Sequence, residues 1–95
     1  MQVGPADTRP ILHQGAGKGA LIGLKPYVLV VQNKLLVDLS HGGAGEFGPL
    51  TFAAVKRFQA DQVAQQRPGW STADIDGVVG PHTWAALDRI SAAAA

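Results

Sequence analysis

One stretch of this chain occurs twice, and this internal repeat is the strongest constraint on the fold. The segment GEFGPLTFAAVKRF at residues 45–58 aligns with GVVGPHTWAALDRI at residues 77–90, at an offset of 32 positions. Seven of 14 positions are identical, and most of the others exchange one apolar residue for another. Repeated sequence of this quality predicts a repeated structural unit.

Each copy has the composition of a turn that leads into a helix. Gly48 and Gly80 suit helix N-caps, and the prolines that follow them suit the first helical position because their φ angle is preset. Thr51 then falls at the third helical position of its copy, as Thr83 does in the other. The apolar pairs that would form a hydrophobic staple around the two helix starts are Phe47 with Phe52 and Val79 with Trp84.

A further helix is predicted ahead of the repeat, in residues 24–39. The β-branched cluster of Val28, Val30 and Val31 favours a strand, whereas the spacing of apolar residues favours a helix. Spacing decides for a helix, with Pro26 in its first turn. Its inward stripe would be Leu24, Val28, Val31 and Leu35, which leaves Leu29, Val30 and Leu36 off the stripe.

The two repeat copies supply the second and third helices. Helix 2 should start at Pro49, and helix 3 should run from Pro81 to about Ile90. The predicted fold class is therefore all-α, a small three-helix bundle with an internal turn-helix repeat. The residues expected to face inward are Phe52, Val55, Phe58 and Val63 in helix 2, and Trp84, Leu87 and Ile90 in helix 3.

The parts of the chain outside the bundle are short. Residues 1–23 are rich in Gly and Pro and read as a flexible N-terminal arm, poorly ordered or docked through Ile11 and Leu12. Residues 24–91 form the predicted domain, and residues 92–95 form an alanine tail. A chain of 95 residues has room for one small domain of this kind.

Composition disfavours several classes of function. Eight basic side chains against seven acidic ones give a formal charge of +1, which argues against a nucleic-acid partner. The longest apolar run, Tyr27 to Val31, is far shorter than a membrane span, and no signal peptide is expected. The chain has no cysteine, and His13, His41 and His82 are widely spaced, so no metal and no cofactor are expected.

The repeat and the helix before it resemble a known family. The segments VLVVQNKL at 28–35, GEFGPLTFAAVKRFQ at 45–59 and DGVVGPHTWAAL at 76–87 resemble the three-helix peptidoglycan-binding domain of bacterial and phage cell-wall hydrolases. The resemblance covers about residues 24–90. Two features depart from the family pattern: Ala44 stands where the family usually has Asp, and the connector between Gln59 and Asp76 is longer than usual.

The resemblance implies a function, a partner and a location. It implies a non-catalytic module that binds the glycan and stem peptide of peptidoglycan and targets an attached or associated lytic activity to the cell wall, as in an endolysin. The module would act at the wall, on the extracellular or periplasmic side of the envelope, or as a phage product at the wall of its host. The residues also leave room for a protein-interaction or structural module, which would use Leu29, Val30 and Leu36 to bind a partner.

Six residues are candidates for ligand contact. Trp70 lies in a polar loop, where it would either contact ligand or cover the core, and Asp76 would cap helix 3 or contact ligand. Where Ala44 replaces the first carboxylate, a ligand carboxylate would occupy the open start of helix 2. The candidate ligand-binding residues are Trp70, Asp76, His82, Tyr27, His41 and Thr51. No spacing indicates a catalytic site, so no enzyme activity is expected.

Overall fold

The computed structural model describes residues 9–94 and is all-α, as the sequence predicts. The three helices are α1 at Lys25–Lys34, α2 at Pro49–Ala64 and α3 at Pro81–Ala94. Two short 3-10 helices, Gly19–Leu24 and Thr72–Asp74, precede α1 and follow α2. The first eight residues of the predicted arm and the last residue of the tail lie outside the described residues. Among the residues that are described, no helix has both the length and the apolar content to cross a bilayer.

The helices begin where their sequence signals place them. Pro26 lies in the first turn of α1, and Gly48 is the N-cap of α2 with extended backbone angles. α3 continues past the predicted end at Ile90 because the residues that follow are mostly alanine, the strongest helix former.

The core is built from the predicted stripes and from both turn segments. Val28 and Val31 of α1, Val55 of α2 and Leu87 of α3 are fully buried. Leu24, Leu35, Phe52 and Ile90 are partly buried and pack against these residues. Trp84 is completely buried. Phe47 and Val79, which are equivalent residues of the repeat just before α2 and α3, are completely buried too.

The segment before α1 binds both turns of the repeat through backbone hydrogen bonds. Leu12 forms an antiparallel bridge with Val79, in which the two N–H···O distances are 3.0 and 2.8 Å. Gly15 donates to the carbonyl of Phe47 at 3.0 Å, and Phe47 donates to Ala16 at 2.9 Å. Leu12 is fully buried, whereas the neighbouring Ile11 is 57% exposed. One segment, residues 12–16, therefore holds the two equivalent turns side by side.

An ion pair fixes the start of this segment to α3. The Arg9 guanidinium donates to both carboxylate oxygens of Asp88, at 3.0 and 2.7 Å, and lies 4.4 Å from the ring centre of Trp84. The indole N–H of Trp84 also donates to the carbonyl of Pro10 at 2.9 Å. The hydrogen bond from Arg9 is the main reason that the pKa of Asp88 lies below its ordinary value.

We expect this pair to make stability depend on pH in the acid range. Since the pKa of Asp88 is lowered in the folded state, its contribution is complete above the ordinary aspartate pKa of about 4 and is lost as pH falls through the folded value. The Asp88 side chain is 41% exposed, so the contribution should be about 1 kcal/mol or less. Urea unfolding of the wild type and Asp88→Asn at pH 7 and pH 3 measures it. The free energy of unfolding of the wild type should exceed that of the variant at pH 7, and the difference should be smaller at pH 3; an equal difference at both values would contradict the assignment.

α1 and α2 end with the same arrangement, a Schellman motif on a residue other than glycine. Leu36 and Gln66 both have positive φ, 57° and 56°. In α1 the N–H of Val37 donates to the carbonyl of Gln32, and in α2 the N–H of Arg67 donates to that of Gln62. α1 and α2 are therefore alike in their C-terminal caps as well.

Candidate functional site

A buried glutamine braces the first turn of the repeat. Gln32 of α1 is 1% exposed. Its carbonyl oxygen accepts from the Gly45 N–H at 2.8 Å, and its amide nitrogen donates to the carbonyl of Glu46 at 3.1 Å and the Thr51 hydroxyl at 3.0 Å. The same nitrogen lies 3.0 Å from the carbonyl oxygen of Gly43. One side chain thus binds the turn and the start of α2 together.

A second glutamine does the same for the second turn. Gln59 of α2 is also 1% exposed, and its carbonyl oxygen accepts from the N–H of Gly77 at 2.9 Å. Its amide nitrogen donates to the Val78 carbonyl at 2.9 Å and the Thr83 hydroxyl at 3.2 Å. These three partners are the repeat equivalents of the first set, 32 positions further along the chain.

This role of the two glutamines was not predicted from the sequence, although the sequence contains a signal for it. Each glutamine follows a fully buried valine by four residues, Val28 before Gln32 and Val55 before Gln59. A polar residue on the inward stripe of a helix needs a hydrogen-bond partner. The conserved geometry of the two units is therefore structural, and Thr51, a candidate for ligand contact, has its hydroxyl bonded to Gln32 inside the protein.

Asp76 caps its own turn and not helix 3, contrary to the expectation from sequence. Its carboxylate oxygen accepts from the Val78 N–H at 2.9 Å and from the amide of Gln59 at 3.1 Å. A short aspartate side chain readily bonds to the backbone two residues ahead, and this local bond takes the oxygen that was predicted to reach the α3 amides. The Asp76 residue itself remains exposed.

The structure brings two of the candidate residues, Trp70 and His82, into direct contact. Their rings stack with centroids 4.2 Å apart and an angle of 26° between the planes. Trp70 is half-buried and packs against the core, whereas His82 is exposed in the first turn of α3. We call this pair the Trp70–His82 stack; it presents an imidazole with two ring nitrogens at the surface, on a base of indole.

A turn places Trp70 at this position. The N–H of Trp70 donates to the carbonyl of Arg67 at 3.1 Å across Pro68 and Gly69, and Gly69 has a φ of 83°. Proline followed by a residue with positive φ is the pattern of a type II turn, which glycine adopts without strain. The long connector therefore folds back so that its tryptophan reaches the start of α3.

The open start of α2 forms a small cleft of about 110 Å³. No side chain caps α2. Asp38 and Glu46 line the cleft, and hydrogen bonds from the Ser40 side chain and backbone lower the pKa of Asp38. Two carboxylates beside the cleft oppose a ligand carboxylate there, which weakens the electrostatic case for the site predicted around His41 and Thr51.

The remaining candidates lie apart from the Trp70–His82 stack in sequence and in the repeat. Tyr27 is 39% exposed in the first turn of α1, and His41 is exposed in the first turn segment. Thr51 lies in the first repeat copy and His82 in the second, whereas Trp70 and Asp76 lie between the two copies. Within residues 9–94, no group of three His, Cys, Asp or Glu side chains is arranged to hold a metal ion.

Comparison with known proteins adds no relative to this picture. No protein-family model, characterised protein or solved structure matches the chain. The resemblance to the peptidoglycan-binding domain therefore rests on the repeat and its motif residues, and what it implies about function is a proposal.

Proposed function

We propose that the chain is a non-catalytic module that binds peptidoglycan and holds an attached or associated lytic activity at the cell wall. The proposal rests on the repeated turn-helix unit that resembles the wall-binding family, and the Trp70–His82 stack is the observation that supports a ligand surface. Bacterial and phage envelopes are the setting in which such a module would work. A weakly binding module raises the local concentration of its partner at an insoluble substrate, where many copies of the ligand are present.

The Trp70–His82 stack suits an amino sugar. The two stacked rings, 4.2 Å apart, form a rigid base because Trp70 packs against the core. The flat rings can cover the apolar face of a sugar, and the nitrogens of the exposed His82 ring can bond to its hydroxyl or acetamido groups. His82 lies in the first turn of α3, so the backbone N–H groups of that turn are close to its ring.

Co-sedimentation with insoluble peptidoglycan sacculi tests the proposal, with chitin and cellulose as controls. We expect His82→Ala to lower the retained fraction, corresponding to a binding constant about threefold to tenfold weaker, because one ring of the stack and its donor are lost. The matched control is Leu50→Ala, since Leu50 occupies the equivalent position of α2 and is also exposed. Wild type that stays in the supernatant, or equal losses for the two variants, would refute the assignment.

A protein-interaction module is the second candidate, and one exposed side chain favours it. Leu36 is 88% exposed, and it lines a groove of about 210 Å³ together with Leu50, Ala53 and Ala54. Val30, also predicted to be off the inward stripe, is 40% exposed, and Leu29 is half-buried. Gel filtration of the sedimentation sample separates the two functions, because self-association through this surface would make the apparent size rise with concentration.

A further inference from the structure

A second groove, between α2 and α3, combines apolar side chains with polar and charged ones. Its volume is about 320 Å³. Phe58, Ala86 and Ile90 form its apolar floor, and Gln62, Arg67 and Arg89 are among the polar residues that line it. We call it the α2–α3 groove.

Gln62 lies in this groove with its side chain largely buried and with one marginal hydrogen bond. It is 7% exposed, and its amide nitrogen lies 3.5 Å from the carbonyl oxygen of Phe58 in its own helix, at the limit of a hydrogen bond. Among the described residues, Arg9 Nε is the enclosed side-chain atom that lacks a hydrogen-bond partner, so the carbonyl oxygen of Gln62 is open to solvent in the groove. Because buried amides are normally paired on both sides, Gln62 has a donor and an acceptor available to a ligand.

Two arginines give the groove a positive charge. Two backbone hydrogen bonds hold Arg67 in place. Its N–H donates to the backbone carbonyl of Gln62, and its own carbonyl accepts from the N–H of Trp70, each at 3.1 Å. Neither Arg67 nor Arg89 has its guanidinium in a hydrogen bond or ion pair among residues 9–90. Asp61 is the carboxylate on the lining, so two positive groups face one negative group. Guanidinium groups bind carboxylates through paired N–H donors.

The first unit contains the matching groove, and the comparison shows what is particular to the second. Between α1 and α2, Arg57 and Phe58 stand where the α2–α3 groove has Arg89 and Ile90. Leu35 follows Gln32 by three residues, as Gln62 follows Gln59, so the first groove has a leucine where the second has an amide. The amine of Lys34 donates to the carbonyl of Leu87 at 3.2 Å and is therefore engaged within the protein. Of these two grooves, the second combines a largely buried, weakly bonded amide with two arginines.

We propose that the α2–α3 groove binds the carboxyl end of a short peptide. The ligand carboxylate pairs with Arg67 and Arg89, the adjoining peptide group bonds to the amide of Gln62, and a small apolar side chain rests on Phe58 and Ile90. This deepens the wall-binding function and rests on it for the choice of peptide, since the stem peptides of peptidoglycan carry carboxylates and alanine.

The α2–α3 groove and the Trp70–His82 stack use the same side of α3. His82, Ala86 and Arg89 follow one another at intervals of four and three residues, which places them on the same side of the helix. Arg67 belongs to the turn that positions Trp70. A ligand with a sugar at the stack could therefore extend its peptide into the groove.

An NMR titration of the full chain tests the groove, with acetylated D-alanyl-D-alanine and its C-terminal amide as probes. We expect the free acid to shift the side-chain amide signals of Gln62, and the amidated probe to bind at least about tenfold more weakly. Arg89→Gln should weaken binding of the free acid about tenfold, whereas Arg57→Gln, the matched position in the first groove, should leave it unchanged.

Three results would overturn the proposal: no shift at millimolar free acid, equal binding of the two probes, or equal effects of the two arginine variants. Sacculi sedimentation separates this from failure of the wall-binding function. If the chain pellets with sacculi but does not bind the peptide, the wall-binding function is supported and the peptide site in the groove is refuted. If the chain binds the peptide but does not pellet with sacculi, the peptide site is supported and the wall-binding function is refuted.

Discussion

Replacing Gln59 with leucine should lower the free energy of unfolding by about 3 to 5 kcal/mol. The leucine fills a similar volume but leaves the N–H of Gly77, the carbonyl of Val78 and the hydroxyl of Thr83 without their partner. Each buried group left unpaired costs about 1 to 3 kcal/mol. Urea unfolding followed by tryptophan fluorescence measures the loss, because Trp84 is completely buried in the folded state.

Gln62→Leu is the matched control for this prediction. Gln62 lies three residues further along α2 and is also buried, but it makes one marginal hydrogen bond in place of the several made by Gln59. We expect this variant to lose less than about 1 kcal/mol or to gain stability, because leucine is easier to bury than a weakly bonded amide. Similar losses for the two variants would show that Gln59 contributes packing alone and not a brace for the turn.

Gly17→Ala should cost at least about 3 kcal/mol, the second large effect that we expect. Gly17 is buried, has a φ of 89°, and lies so close to Gly45 that an added Cβ would overlap the Gly45 carbonyl oxygen. Relief would require the segment before α1 to move away from the first turn. That movement would strain its hydrogen bonds to Phe47, so the loss should appear as a lower urea midpoint.

Gly15→Ala separates the steric effect from the backbone effect. Gly15 has a φ of 99°, close to that of Gly17, but no atom lies within 4 Å of the position where a Cβ would stand. Alanine there should cost about 1 to 2 kcal/mol, from its positive φ alone. If both alanine variants lose the same amount, close packing of the segment on Gly45 is not what stabilises this part of the fold.

The sequence was sufficient for the three helices because their signals are local. Apolar spacing located the inward faces, and Pro49 and Pro81 located two helix starts. The hydrogen bonds of the segment before α1 could not be predicted, since Leu12 and Val79 are far apart in the chain and neither belongs to a periodic pattern. Backbone pairing of this kind depends on tertiary position and leaves no period in the sequence.

The candidate site was predictable only in part, for a related reason. Trp70 and His82 were each selected from local context, but their stacking depends on how the connector folds back. Asp76 was placed correctly in a turn and assigned the wrong partner, because its nearest donor belongs to Val78. Gln62 was overlooked in favour of Val63 as the residue that extends the inward stripe, although Gln62 is the more deeply buried of the two.

α2 belongs to both units of the repeat. Its first turn carries Thr51, which completes the first unit, and its later turns carry Gln59, which holds the turn of the second. Neither unit can therefore be separated from the other by a cut between them, and loss of α2 would release both turns at once. We therefore expect the two halves of the repeat to gain and lose their structure together, as a single cooperative folding unit.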